Sequence, residues 1–134
     1  MSPENVEIVR SIVAAWEQGD FSRIEWAHAE IELVRPDGPV PGRGTGLAYL
    51  AEEEREFLNA WEDYRLQAEE YRQLDDERVL VRVKHGGRGK MSGLEVGEMT
   101  ATGATLFHIR DGTVVRLVLY WDYERAVTDL GLAD

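Results

Sequence analysis

The sequence contains no cysteine. That excludes disulfides, a thiol nucleophile and any thiolate metal site. It is compatible with a reducing cytoplasm, where the protein is expected to act. No apolar run approaches the ~18–20 residues that a membrane-spanning helix needs. The N-terminus, MSPENVEIVR, carries acid where a secretory leader carries base. Base is scarce throughout: 15 Lys and Arg face 26 Asp and Glu, which leaves a net charge of −11. Such a field repels phosphate backbones and anionic lipid, so neither nucleic acid nor a membrane surface is expected as a partner. Catalytic signatures are missing as well. There is no GxSxG, P-loop or dinucleotide fingerprint, and GGRGKMSG (Gly86 to Gly93) lacks the phosphate-loop spacing. His28, His85 and His108 are scattered without metal-ligand spacing, so neither a metal nor another cofactor is expected.

What is present reads as one domain over residues 1–134, long enough and apolar enough (43%) to bury a sizeable core. Ser2-Pro3 is an N-cap followed by proline at the first helical position. Val6, Val9, Ile12, Val13 and Trp16 then form one helical stripe, which Gly19 ends. Asp20 is placed to cap a second short helix through Phe21, Ile24 and Trp26. Glu30 to Arg35 alternates like a strand, and Asp37 to Gly46 is a Gly/Pro loop. A long helix begins near Leu47, with Leu50, Phe57, Leu58 and Trp61 marking its buried side. The acid run Glu52, Glu53, Glu54 and Glu56 suits the helix dipole and reads as a solvated face. Strands follow over 64–74, 78–85, about 95–109 and 113–122. Asp111-Gly112 is a strong hairpin signal, and Ala126, Val127 and Leu130 mark a short closing helix. Strands that cluster late and are joined by short turns give α+β with a curved antiparallel sheet.

Three segments together resemble the SnoaL-like group of the nuclear transport factor 2-like superfamily: VRSIVAAWEQGDFSRI (9–24), the GRGTG loop (42–46) and IRDGTVVRLVLYWDYERAVTDLGL (109–132). The resemblance implies a cone: a bent sheet wrapped by about three N-terminal and central helices around a pocket, with a short C-terminal helix. That group includes ketosteroid isomerases, polyketide cyclases, epoxide hydrolases, dehydratases and non-catalytic binders, so the fold implies a pocket and not a chemistry. At the positions of the isomerase tyrosine, general base and second oxyanion donor stand Ile12, Arg35 and a residue near Thr105. None supplies the required group. The arginine between two aspartates of limonene epoxide hydrolases also has no counterpart.

Strand alternation nominates the pocket lining. Val115, Leu117, Leu119 and Trp121 share one face of the last strand. Val79, Val81, Val83 and His85 share a face of theirs, as do Thr105, Phe107 and Ile109. Trp16, Trp26, Tyr49 and Trp61 are expected to reach in from the helices. The expected lining is therefore Trp16, Trp26, Tyr49, Trp61, Val81, Val83, Thr105, Phe107, Leu117, Leu119 and Trp121. Arg35 and His85 are the candidate catalytic groups, a guanidinium to hold negative charge and an imidazole to move a proton. The plainer readings are an ion pair for Arg35 and a half-solvated strand end for His85. Asp122 is a helix cap or a functional acid. The opposite sheet face carries Leu80, Leu106, Val118 and Tyr120, which implies either a homodimer interface or cover by the closing helix. Two functions remain open: binding of an apolar small molecule in an apolar pocket, or a cofactor-free cyclase, isomerase or hydrolase acting on an apolar, carbonyl-bearing one.

Overall fold

Three helices and a six-stranded curved sheet emerge from this pattern in the computed structural model, which describes residues 3–38, 41–89 and 101–132. The chain runs α1 (Pro3–Glu17), β1 (Ala27–Arg35), β2 (Gly42–Thr45), α2 (Leu47–Ala60), β3 (Trp61–Gln73), β4 (Arg78–Gly89), β5 (Ala101–Arg110), β6 (Thr113–Tyr120) and α3 (Tyr123–Leu130). The strand order is β2-β1-β6-β5-β4-β3. Four pairings are antiparallel, and the fifth, β1 with β6, is parallel. The architecture is α+β, as the late clustering of strands implies.

The turns are built from the residues that signalled them. Asp111 and Gly112 both adopt positive φ (53° and 77°), which matches the twist of the β5–β6 hairpin. Asp75 Oδ1 accepts from the backbone N–H groups of Glu77 and Arg78 and closes the β3–β4 turn. Two register shifts in β3 bend the long β3–β4 ribbon.

Several expectations are corrected. Residues 20–24 form no helix. Asp20 Oδ1 accepts from both the backbone N–H and the hydroxyl of Ser22, so its carboxylate closes a local turn instead of starting a helix. Phe21, Ile24 and Trp26 still pack on the core from this loop. The Gly/Pro loop contains the short edge strand β2, paired to β1. Trp61 opens β3 instead of ending α2, and β4 continues through Gly89. A bulge skips Val115, so Val114 enters the core in its place. Ser2, the segment 90–100 of the basic loop and the expected β5 start, and the side chain of Trp61 lie outside what is described.

The sheet is apolar on both faces. On the concave side α1 lays Val9, Ile12, Val13 and Trp16 over Val79, Val81, Phe107, Ile109 and Leu117. On the outer side α3 covers Leu80, Leu106, Val118 and Tyr120 with Tyr123, Ala126 and Val127. The closing helix therefore accounts for the apolar outer residues, and pairing of two copies is not needed to explain them. Among the described residues no helix is long and apolar enough to cross a membrane.

Candidate functional site

The concave side is not filled completely. A cavity of about 80 Å³ remains between α1, α2, β1, β3, β4, β5 and β6. One water needs roughly 10–15 Å³ on this scale, so the space would take several waters or one compact organic group. Its lining is aromatic first: Trp16, Phe21, Phe57, Tyr64, Tyr120 and Trp121, with the His85 imidazole among them. The rings contact one another. Phe57 meets Tyr64 edge-on at 4.9 Å between centroids, and His85 meets Trp121 edge-on at 4.3 Å. Leu58, Leu66, Val83, Leu117 and Leu119 complete the apolar wall.

The polar groups come from five elements. Arg35 ends β1 and is buried; its Nη1 lies 3.3 Å from Glu53 Oε1, and its guanidinium sits 5.2 Å from the Phe57 ring centre. Burial lowers the Arg35 pKa, while Glu53, Tyr49, Glu54 and Tyr64 oppose that effect. Tyr49, one turn before Glu53, also donates to Glu53 Oε1 (3.2 Å).

His85 is 3% exposed, not half-solvated. Its Nε2 lies 3.2 Å from the Trp121 carbonyl oxygen and its Nδ1 lies 3.0 Å from the Tyr64 hydroxyl. A carbonyl only accepts, so Nε2 carries the hydrogen. In the neutral ring Nδ1 then accepts from Tyr64. Burial lowers the His85 pKa, opposed by the Trp121 carbonyl and Asp37, and so favours that neutral form. Burial likewise pushes the Tyr64 phenol well above its usual range, with Arg35 opposing. With both ring nitrogens engaged, His85 is built to hold Tyr64.

Glu54 is the group that sequence reasoning missed. The acid run has the composition of a solvated face, yet only part of it is one. Glu52 and Glu56 are exposed, Glu53 pairs with Arg35, and Glu54 borders the cavity. No hydrogen bond or ion pair to its carboxylate is formed among the described residues. Burial pushes its pKa from 4.5 up to about 7, with Arg35 opposing. A signal was available: Glu54 stands four residues after Leu50 and four before Leu58, on the apolar stripe of the helix. Asp37 was also missed. Its two oxygens accept from the backbone N–H groups of Trp121 (2.8 Å) and Asp122 (3.0 Å) and fix the end of β6 beside the cavity.

Of the residues nominated from sequence, Trp16, Arg35, Val83, His85, Thr105, Leu117, Leu119 and Trp121 border the cavity. Val81 and Phe107 do not; both are fully buried in the core behind it, Phe107 stacked 5.7 Å from Trp16. Trp26 packs edge-on against the outer side of this cluster, 6.1 Å from Trp16. Tyr49 lies outside the lining, its ring beneath Gly44, where a Cβ would come within 2.5 Å of it. Asp122 is the N-cap of α3 and accepts from Glu124 N–H (3.3 Å). His28 is exposed on β1, and His108 Nε2 pairs with Glu77 (2.9 Å) on the outer side.

The sequence matches the SnoaL-like domain over residues 9–117. No curated protein matches it. Among solved structures it is similar to TerC co-crystallised with polyporic acid, at 22% identity and a TM-score of 0.71, covering 95% of this chain and 97% of that one. It is also similar to a nuclear transport factor 2-like protein of unknown function from Burkholderia pseudomallei, at 18% identity and a TM-score of 0.75, covering 96% and 97%. A hypothetical protein with a ketosteroid isomerase-like fold from Catenulispora acidiphila, in complex with trimethylamine, gives 17% identity and a TM-score of 0.70, covering 95% and 94%. At these identities the likeness is one of fold.

Proposed function

Because the chain belongs to the SnoaL-like domain family, we propose that it acts as a single domain whose concave cavity binds one compact, largely apolar small molecule. The observation that carries this reading is the lining itself: six aromatic residues and a set of aliphatic ones enclose a space in which only a few polar groups converge. Size sets the class. About 80 Å³ suits a single ring or a branched head group and is short of what a polycyclic molecule needs. Two structural relatives were crystallised with small organic molecules, polyporic acid and trimethylamine, which supports small-molecule binding; the size class rests on this cavity alone. Native mass spectrometry of the purified protein, followed by thermal shift against a panel of compact apolar compounds, tests the reading. A panel compound should raise the Tm in the parent and not in Leu117→Trp, which fills the cavity. Equal shifts in both proteins would overturn it.

A second reading, cofactor-free proton transfer on a carbonyl-bearing ligand, is favoured by one observation: Glu54, with a pKa raised to about 7, sits in the same cavity as Arg35. Glu54 would take and return the proton, and Arg35 would hold the developing negative charge. His85 would then be a positioning residue that orients Tyr64. A turnover screen with ketones, lactones and epoxides tests this: Glu54→Gln should lose ~10²–10⁴-fold in kcat, with binding retained. Ligand bound and released unchanged by the parent protein would end the catalytic reading.

A further inference from the structure

We propose that the ligand of this cavity is a cation, a methylated ammonium group held by the aromatic lining and by Glu54. The inference rests on the binding reading above and adds the sign of the ligand's charge.

The charges around the cavity do not balance. Arg35 is matched by Glu53, which is 3.3 Å away, and its guanidinium is turned onto the Phe57 ring. Two carboxylates remain in the lining, Asp37 and Glu54. Asp37 is occupied by two backbone N–H groups. Glu54 has no hydrogen-bonded partner among the described residues and faces a space bounded by rings. The ring faces carry a negative quadrupole, and they attract ammonium groups most strongly where water is excluded. An anionic ligand would meet Asp37 and Glu54 with only a guanidinium that is already paired. A neutral one would bring nothing that offsets the Glu54 carboxylate when it ionises. A methylated ammonium does neither: its methyl groups pack on apolar surface, and its charge opposes the carboxylate. Such a head group also matches the volume.

The cavity shares part of its wall with a second space. Phe21, Glu54 and Leu58 line both the inner cavity and an outer groove between α2 and the 19–24 loop. Glu54 therefore borders both spaces.

Binding of a permanent cation should depend on the ionisation of Glu54. The other titratable or charged groups that share its lining are Arg35 on β1, Asp37 after β1, Tyr64 on β3, His85 on β4 and Tyr120 on β6, with Asp20 and Arg55 along the outer groove. Of those around the cavity, Arg35 and Tyr64 keep one charge state across neutral pH, and burial favours the neutral form of His85. Choline carries no titrating group in this range. Its affinity should rise about tenfold from pH 6 to pH 8, as a carboxyl with a pKa near 7 ionises.

Isothermal titration of the whole chain with choline, and with the neutral isostere in which a tert-butyl group replaces the trimethylammonium, tests this. We expect choline to bind at least tenfold more tightly at pH 8, the preference to shrink at pH 6, and Glu54→Gln to abolish both the preference and its pH dependence. The isostere should bind equally to parent and variant, which shows that the variant's cavity is intact. Equal binding of the two compounds by the parent protein would overturn the cation proposal and leave the cavity reading standing. Binding of neither, with no compact neutral compound held either, would overturn both.

Discussion

At Gly103 one added methyl group would lie 2.6 Å from the Tyr120 carbonyl oxygen, 2.9 Å from that of Trp121 and 3.0 Å from His85 Nε2. Two of those atoms are backbone and cannot swing away. Gly103→Ala should therefore cost about 2–3 kcal/mol, measurable by denaturant unfolding, and it should weaken the His85–Trp121 hydrogen bond. Glu54 gives a prediction of pH dependence. Its folded-state pKa of about 7 lies above its ordinary 4.5, so its penalty is absent at low pH. The penalty grows as pH rises above about 4.5 and is complete above about 7. Glu54→Gln should match the parent's stability near pH 4 and exceed it by about 1–2 kcal/mol at pH 8, after allowance for partial solvation. Thermal unfolding across that range reads the crossover, and equal stabilities at pH 8 would contradict it. His85 acts on the other side of neutrality. Its pKa is lowered from 6.5 in the folded protein, so the stability it confers is present above pH 6.5 and is lost as pH falls towards the folded value. His85→Gln should flatten that acid limb. His85 and Arg35 were legible in the sequence because each breaks an apolar alternation. Glu54 was hidden inside a run of like residues, where composition masks position.

Among the elements, the exits of β1 and β6 are laced together by Asp37, whose carboxylate takes both the Trp121 and Asp122 N–H groups. Asp37→Ala leaves one part-buried donor and one exposed donor without that partner, and about 1–3 kcal/mol should be lost. Near-UV circular dichroism should report it, because Trp121 borders the cavity from this corner. The capping residue next door carries less: Asp122→Ala should cost about 1 kcal/mol. Elements whose signals are local were readable. Asp111-Gly112, the α1 stripe and the Gly131 stop (φ 65°) each follow from a few neighbouring residues. Failures came where a distant partner decides. β2 is a strand because β1 lies beside it, and GRGT has no strand pattern of its own. The bulge at Val115 depends on the register with β5, and it moved Val114 into the core. Asp20 looked like a helix cap, but the Ser22 contacts close a turn first.

Taken whole, the molecule is a sheet with apolar residues on both faces and helices on each. A chain ending at Trp121 would lack α3 and would expose Leu80, Leu106 and Val118. Such a truncation should elute larger in size-exclusion chromatography than the chain that keeps α3, whose charge of −11 opposes non-specific association. The parallel pairing of β1 with β6 has a further consequence, in time. Leu33 lies beside Leu117, and Trp121 N–H bonds to Asp37, so segments 84 residues apart in sequence must meet. Contacts so distant in sequence slow folding, because a long loop must close before anything is gained. The cavity, lined by Arg35 and Asp37 from one side of that pairing and by Leu117, Leu119 and Trp121 from the other, closes only once β6 has found β1.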